Sequence, residues 1–386
     1  MKRSALLFGG LLLGAASVAN AQGLSMQMSN GWNFSFAGNV NIFAQYQSQS
    51  SSGATPTVNG VLVGPGKAQG FYYGTGLLPA FATFMASGKE GNTDLGVHFG
   101  FAPQVQCGGY NHDCFGAQID MRQVFLTVGG SWGKITAGKE LGLFQRGNIL
   151  NDQTLFGVGG GGIAPGGTTL GRIGFGYIYP NFIAQMTFTT PAGRPTSLSI
   201  GLMDPSTFGP YSTHNIPRLE AEVSHKAGSI SVFASGALQN SKTAPTGGTS
   251  KTAWGGAGGV TYKSGTFSLH GSGYYGRGLG TTLMFGGLAD DGTGDLTKSY
   301  GYFGQLPFTP AGSKPTVAGS FGSSFIKGST GPGKTENTLI SGGLYYQATK
   351  SLKVVGEGNY MWSKLSPSGP AKNKAFTGAF GLMLFY

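Results

Sequence analysis

Charge is scarce in this chain. Only 10% of its 386 residues are Asp, Glu, Lys or Arg, against about 25% in ordinary soluble domains. Cysteine is nearly absent, with two residues, and the five His are scattered without a pair at ligand spacing. No apolar run approaching the roughly 20 residues of a membrane-spanning helix occurs in the body of the chain, which excludes a helical membrane protein. Disorder couples high charge to few aromatics, whereas here aromatics reach 12%. What is abundant is glycine, 72 residues. Each Gly in a helix interior costs about 1 kcal/mol relative to Ala, so a largely helical fold is excluded too. The strict Gly spacing of collagen is missing. What remains is an all-β chain that hides a membrane-scale amount of apolar surface in alternation.

Both ends carry signals. Lys2 and Arg3 precede the apolar stretch Ala5 to Ala16, and Ala19-Asn20-Ala21 has the small-x-small form of a cleavage site. This order predicts a secretory signal peptide over residues 1–21 and a mature domain over 22–386. The formal charge of +11 falls to about +9 after cleavage. An exported chain has no nucleic acid to meet, despite this basic excess. At the other end, Phe376, Phe380, Leu382, Leu384 and Tyr386 share one parity, and Thr377, Ala379 and Gly381 share the other. Successive strand residues point to opposite faces, so one face is apolar to the last residue. An exposed apolar edge is a liability in water but suits the closing strand of a barrel in lipid.

The alternation recurs in segments of about 10 residues, the pattern of a transmembrane β-barrel. Trp32, Phe34, Phe36, Val40, Ile42 and Tyr46 oppose Asn33, Ser35, Asn39, Asn41 and Gln45. Ile173, Phe175, Tyr177 and Tyr179 oppose Arg172, Gly174 and Gly176; after Pro180-Asn181, Phe182, Ala184, Met186 and Phe188 oppose Gln185, Thr187 and Thr189. Leu219, Ala221 and Val223 alternate with Arg218, Glu220 and Glu222, and Leu352, Val354, Tyr360 and Trp362 with Lys353, Glu357 and Asn359. Tight turns are predicted at 91–92, 131–132, 180–181, 227–228, 264–265, 311–312 and 349–350. Long connections are predicted near 48–76, 103–117, 140–171, 190–216, 240–251, 276–298, 326–335 and 364–373. Seven turns and eight long loops make about sixteen antiparallel strands, an even number as in bacterial outer-membrane barrels.

In pattern, nearly the whole of 22–386 resembles the general porins of Gram-negative outer membranes. The likeness is sharpest in the strand–turn–strand run Arg122 to Lys139, in Gly171 to Pro180, and at the aromatic C-terminal Tyr386. The resemblance implies a homotrimer of water-filled 16-stranded barrels, each narrowed by its third long loop folding into the pore. It further implies insertion by the outer-membrane barrel assembly machinery, with Tyr386 in the assembly signal. Carried over by position, Lys139 and Arg172 stand at basic wall positions and Asp152 at the acidic loop; Arg122 and Arg146 complete the expected pore constriction. Residue parity agrees for Arg172, disagrees for Lys139 (in phase with Ile135 and Ala137) and is ambiguous for Arg122. The chain lacks the arginine that general porins tend to carry in the second strand and the Pro-Glu-Phe-Gly-Gly stretch of their third loop.

The expected function is therefore passive diffusion of small hydrophilic solutes and ions, with mild anion preference from the basic excess, no enzymatic chemistry and no cofactor. Three rivals compete. One is a substrate-specific porin, in which Phe144 and Phe156 either stack on a solute or pack the loop on the wall. The others are a barrel enzyme and a plugged adhesin or structural barrel. Cys107 and Cys114 fall in one predicted outer loop and suit a disulfide in an oxidising compartment; with only His112 between them they make an incomplete zinc set. Asp290, Asp291 and Asp295 could serve a cation, but their spacing is not that of an EF-hand, and a hydrated loop is the simpler reading.

Overall fold

The computed structural model describes residues 23–51, 60–106, 119–160, 169–285, 288–328, 333–366 and 372–386. The predicted signal segment and Cys107 and Cys114 lie outside the described residues.

Eighteen strand segments form one antiparallel sheet. In chain order they are β1 (Leu24–Gln27), β2 (Asn33–Ser51), β3 (Ala68–Gly74), β4 (Phe81–Glu90), β5 (Thr93–Pro103), β6 (Ile119–Gly130), β7 (Gly133–Leu141), β8 (Phe182–Thr189) and β9 (Thr196–Met203). The series continues with β10 (Arg218–Ala227), β11 (Ile230–Lys242), β12 (Ser250–Ser264), β13 (Phe267–Arg277), β14 (Lys298–Phe308), β15 (Pro315–Lys327), β16 (Lys334–Gln347), β17 (Leu352–Ser366) and β18 (Asn373–Phe385). Apart from β3 and β4, which both pair with β2, each pairs with its sequence neighbour, and β18 pairs with β2, with Phe385 opposite Asn39 and Asn373 opposite Ser51. That last pairing closes the sheet.

Eighteen segments make sixteen staves. β3 and β4 pair with successive halves of β2, at Phe43–Gln49 and Asn33–Asn39, so they are one stave broken between residues 75 and 80. β1 pairs with Asn33–Phe36 on the edge of β2 that β18 occupies further along, and therefore continues the β18 stave. A barrel of this size encloses an aqueous lumen, whereas eight strands are filled by their own side chains.

The predicted faces are realised. Val40, Ile42, Leu219, Val223, Phe380 and Leu384 are exposed on the outer wall, while Asn39, Asn41, Gln45, Arg218 and Glu220 are buried within. The short connections gather at one end of the barrel and the long ones at the other.

Two expectations are corrected, and they cancel in the strand count. Residues 172–179 form no strand. Gly171 and Gly174 adopt φ of +54° and +78°, left-handed values that a regular strand excludes. Ile173, Phe175 and Tyr177 are buried inside the barrel, not turned to its exterior. The expected loop 190–216, conversely, contains β9, whose Leu198, Ile200 and Leu202 face outward while Ser199 is buried within. Pro and Gly on both sides of this strand concealed it.

Candidate functional site

The described parts of the long connection from Gly142 to Asn181, residues 142–160 and 169–181, run inside the barrel. Its two ends meet where the Gly142 N–H donates to the Asn181 carbonyl at 2.9 Å. The segment carries one helical turn, α1 (Arg146–Asn151), and a 3-10 turn at Gln153–Phe156.

Wall side chains take the backbone donors of this segment in order around the barrel. Glu220 on β10 accepts from the Leu143 and Phe144 N–H groups at 2.7 and 2.9 Å. Ser235 on β11 accepts from Gln145 at 3.1 Å, and Gln305 on β14 from Gln153 at 2.8 Å. Glu357 on β17 accepts from Val158 and Gly159 at 3.0 and 2.6 Å. The Leu77 and Leu78 N–H groups, in the break between β3 and β4, then donate to Gly157 and Leu155 carbonyls at 2.9 and 3.2 Å. Irregular backbone at membrane depth has to be satisfied by protein or water, and here polar wall residues supply the partners. Apolar packing completes the dock: Phe144, Ile149, Leu155, Tyr177 and Ile178 form a buried cluster with Tyr274 and Phe303 of the wall.

This arc leaves the β4 to β8 side open. There a cavity of about 120 Å³ is lined by Lys134, Glu140, Arg146, His98, Gln185 and Thr187, among others. Arg146 pairs with Glu222 of β10, its Nε 3.2 Å from Oε1. Glu140 accepts from Gln123 at 2.9 Å. The lining alternates in sign. On the long-loop side lies a second cavity of about 270 Å³, mostly apolar, bordered by Leu77, Leu150, Leu155, Leu170, Phe182 and Arg122.

The residues expected at the constriction have separate places. Arg172 belongs to the inward segment, not to the wall, and none of its side chain reaches solvent. It donates to the Leu339 carbonyl at 2.9 Å and to the Ser341 and Ser320 hydroxyls, and its Nε lies 3.8 Å from Asp152 Oδ1. Asp152 is equally enclosed; it caps the 3-10 turn through the Thr154 N–H at 3.0 Å and accepts from the Tyr177 hydroxyl at 2.8 Å. Together Arg172 and Asp152 bind the segment to itself and to β15 and β16. Arg122 is the unpaired residue of a β-bulge between β5 and β6; it pairs with Asp120 at 2.6 Å and borders the apolar cavity. Of the five, Arg146 alone faces the charged cavity.

Lys139 is opposite Val124 and Ala184 in the sheet, in phase with the outward Ile135 and Met186. Its ammonium donates to the Met121 carbonyl at 3.0 Å. Parity was the sounder guide, and the position-by-position carry-over from the resemblance placed this residue on the wrong face. Lys139→Gln is expected to leave single-channel conductance and ion selectivity within experimental scatter; a clear change in either would return Lys139 to the lumen.

Other expectations resolve more simply. Phe144 packs in the core cluster, and Phe156 lies 6.4 Å from the Phe385 ring beneath Lys353, so both pack the segment onto the wall. Asp295 pairs with Lys251 at 2.7 Å, and among the described residues no three metal-ligating side chains converge. Tyr386 exchanges backbone hydrogen bonds with Gly38 at 3.0 and 3.1 Å, and its ring lies tilted 5.1 Å from that of Phe36. Sequence reasoning missed Glu140, Lys134 and Gln145, and gave Glu220, Glu222 and Glu357 no part beyond a wet wall. Their parity was legible, but the backbone donors they meet come from a segment whose path has no periodic signal.

No family model and no curated protein sequence matches the chain. Solved structures do. The outer-membrane channel DcaP of Acinetobacter baumannii superposes with a TM-score of 0.67 at 14% identity, covering 94% of this chain and 99% of that one. An anion-selective porin from Comamonas acidovorans gives 0.64 at 14% identity, over 92% and 100%. OmpF of Salmonella typhi, in complex with daunomycin, gives 0.54 at 13% identity, over 93% and 100%. At these identities the likeness is one of architecture: the chain has the fold of the 16-stranded outer-membrane porin barrel.

Proposed function

We propose that the protein is an outer-membrane channel through which small hydrophilic solutes and ions diffuse passively, with mild preference for anions. The observation that carries this reading is a closed barrel with an apolar exterior, the described parts of whose segment 142–181 dock on the inner wall from β10 to β17. On this reading the segment narrows the lumen to a charged passage along β4 to β8. Residues 1–21 serve export, and the terminal strand ending at Tyr386 presents the barrel to the assembly machinery. The working unit is a homotrimer, Cys107 and Cys114 form a disulfide in an outer loop, and no catalysis is involved.

The passage sets the constriction. Lys134, Glu140 and Arg146 line it, and Arg146 is ion-paired with Glu222, so the local field nearly balances. The excess of about nine positive charges left after removal of residues 1–21 tips it toward anions, because a low-dielectric passage focuses the field of the whole protein. That balance predicts modest selectivity, resting on Arg146. Reversal potentials under a KCl gradient should show a small anion preference in the wild type and a shift toward cations in Arg146→Ala. A wild-type channel that prefers cations would contradict the reading, as would an unchanged reversal potential in the variant.

A second reading is a substrate-specific channel. The apolar cavity beside Arg122 favours it, being suited to a solute with an apolar body and an anionic end. Concentration-dependent current block by such a solute would distinguish it from a general porin.

A further inference from the structure

A second connection enters the barrel. Residues 60–66, part of the expected long connection 48–76, lie against the inner wall near its long-loop rim. Side chains of four successive staves take their backbone in order. On β16 Asn337 accepts from the Leu62 N–H at 3.1 Å and donates to the Gly60 carbonyl at 2.7 Å. On β17 the Ser363 hydroxyl accepts from the Leu62 and Val63 N–H groups at 3.2 and 2.9 Å. On β18 Asn373 donates to the Val63 carbonyl at 3.0 Å, and on β2 Gln49 donates to the Gly64 carbonyl at 2.8 Å. Asn337 is opposite Ser363, and Ser363 is opposite Asn373. One row of buried polar side chains thus holds this stretch, as Glu220 and Glu357 hold the segment 142–181.

Two apolar side chains of this stretch meet the inward segment. Val63 is buried and clusters with Phe175 of that segment and with Leu339, Met361 and Ala375 of the wall. Leu62 packs against the same cluster and covers Gly174, where a β-carbon would stand 2.3 Å from the Leu62 Cδ1. Gly174 therefore has a packing reason to be glycine besides its φ of +78°. The turn from Arg172 to Tyr177 is held twice. Arg172 donates to the Leu339 carbonyl at 2.9 Å and the Gly176 N–H to the Ser324 hydroxyl at 2.9 Å. Leu62 and Val63 then pack on its tip at Gly174 and Phe175.

We propose that residues 60–66 brace the inward segment, with Leu62 and Val63 as positioning residues for the passage. The turn they cover leads directly to the groups beside the constriction. The Tyr177 hydroxyl donates to Asp152 at 2.8 Å, and the Ile178 N–H donates to Gln145 Oε1 at 3.0 Å. Gln145 precedes Arg146, which faces the charged cavity. Among the described residues bordering that cavity none comes from 60–66. Leu62 and Val63 therefore act on the current through the segment they hold, not by lining the path. The inference rests on the reading of 142–181 as the element that narrows the lumen.

The test compares the purified full-length barrel with L62A/V63A by hydrogen-exchange mass spectrometry in detergent and by planar-bilayer recording. The N–H groups of Gly174, Gly176 and Ile178 are hydrogen-bonded and report on the turn. Truncating two packed aliphatic side chains should speed exchange of the 172–178 peptide at least about tenfold. Exchange in the wall strands and thermal melting should stay as in the wild type, and the open current should become noisier. L62M, which keeps the volume, should behave as wild type. V63A alone should move exchange and noise less in the same direction, and it serves if the double variant does not fold. Unchanged exchange at 172–178 would overturn the proposal, as would faster exchange there with a wild-type current, or noise in L62M equal to that of L62A/V63A. A wild-type barrel without current would instead count against the channel reading, and the exchange comparison would still decide whether Leu62 and Val63 hold the turn.

Discussion

Excising residues 143–180 and closing β7 to β8 with a two-residue turn is expected to raise single-channel conductance several-fold while the barrel still folds. The closure is geometrically easy. Leu141 and Phe182 are already cross-strand partners, and Gly142 and Asn181 are joined by a hydrogen bond, so the cut removes no wall strand. What it removes is the arc that occupies the lumen from β10 to β17. A 16-stranded barrel freed of such an arc is an aqueous channel limited by its own wall. Glu220 and Glu357, now without backbone donors, would be exposed to water and hydrated. The measurement is the conductance histogram in planar bilayers. Unchanged step size in a correctly folded variant would mean that the segment does not limit the current.

The second large effect is expected at Arg172. Arg172→Ala leaves Asp152 enclosed without its cation and empties the hydrogen bonds to Leu339, Ser320 and Ser341. Removing one partner of a buried ion pair costs about 3–5 kcal/mol. The wall strands do not depend on this side chain, so the loss falls on the docking of the inward segment. The variant should therefore keep its sheet content, show a noisier and larger open current, and become sensitive to protease within 142–181. Ion selectivity should change less than in Arg146→Ala, because Arg146 faces the charged cavity and Arg172 does not. Thermal melting by circular dichroism and proteolysis check the first part, and bilayer noise the second. A quiet, wild-type current with wild-type protease resistance would show that Arg172 does not hold the segment.

Much of the fold was legible because a barrel wall imposes a period of two on the sequence. Leu219 and Val223 outside with Arg218 and Glu220 inside follow directly from that period, as does the apolar face of β18. The same logic failed where a different cause produced the same pattern. Ile173, Phe175 and Tyr177 alternate with Arg172, Gly174 and Gly176 because the glycines turn the chain and all three apolar side chains find a buried seat inside the lumen. β9 was hidden for the opposite reason: Pro191, Gly193 and Pro195 before it read as a loop, and eight residues is a short stave.

The candidate site was less legible still. Whether Arg172 lines a wall or pins a segment depends on where residues 142–181 run, and that path is set by contacts with β10 to β17 and with the break before β4, all remote in sequence. Lys139 shows that a local pattern, its phase with Ile135 and Ala137, outweighed a positional analogy. Glu220 and Glu357 could be placed on the inner wall from parity. Nothing in the sequence says that each receives two consecutive N–H groups of the same segment.

The measurement that bears most directly on the whole account is the current through the purified wild-type protein in a planar lipid bilayer. Stepwise, long-lived conductance increases are expected, grouped in threes for a trimer, with a small anion preference under a KCl gradient. A correctly folded barrel that inserts and yet carries no current would contradict it, and would make the segment 142–181 a plug.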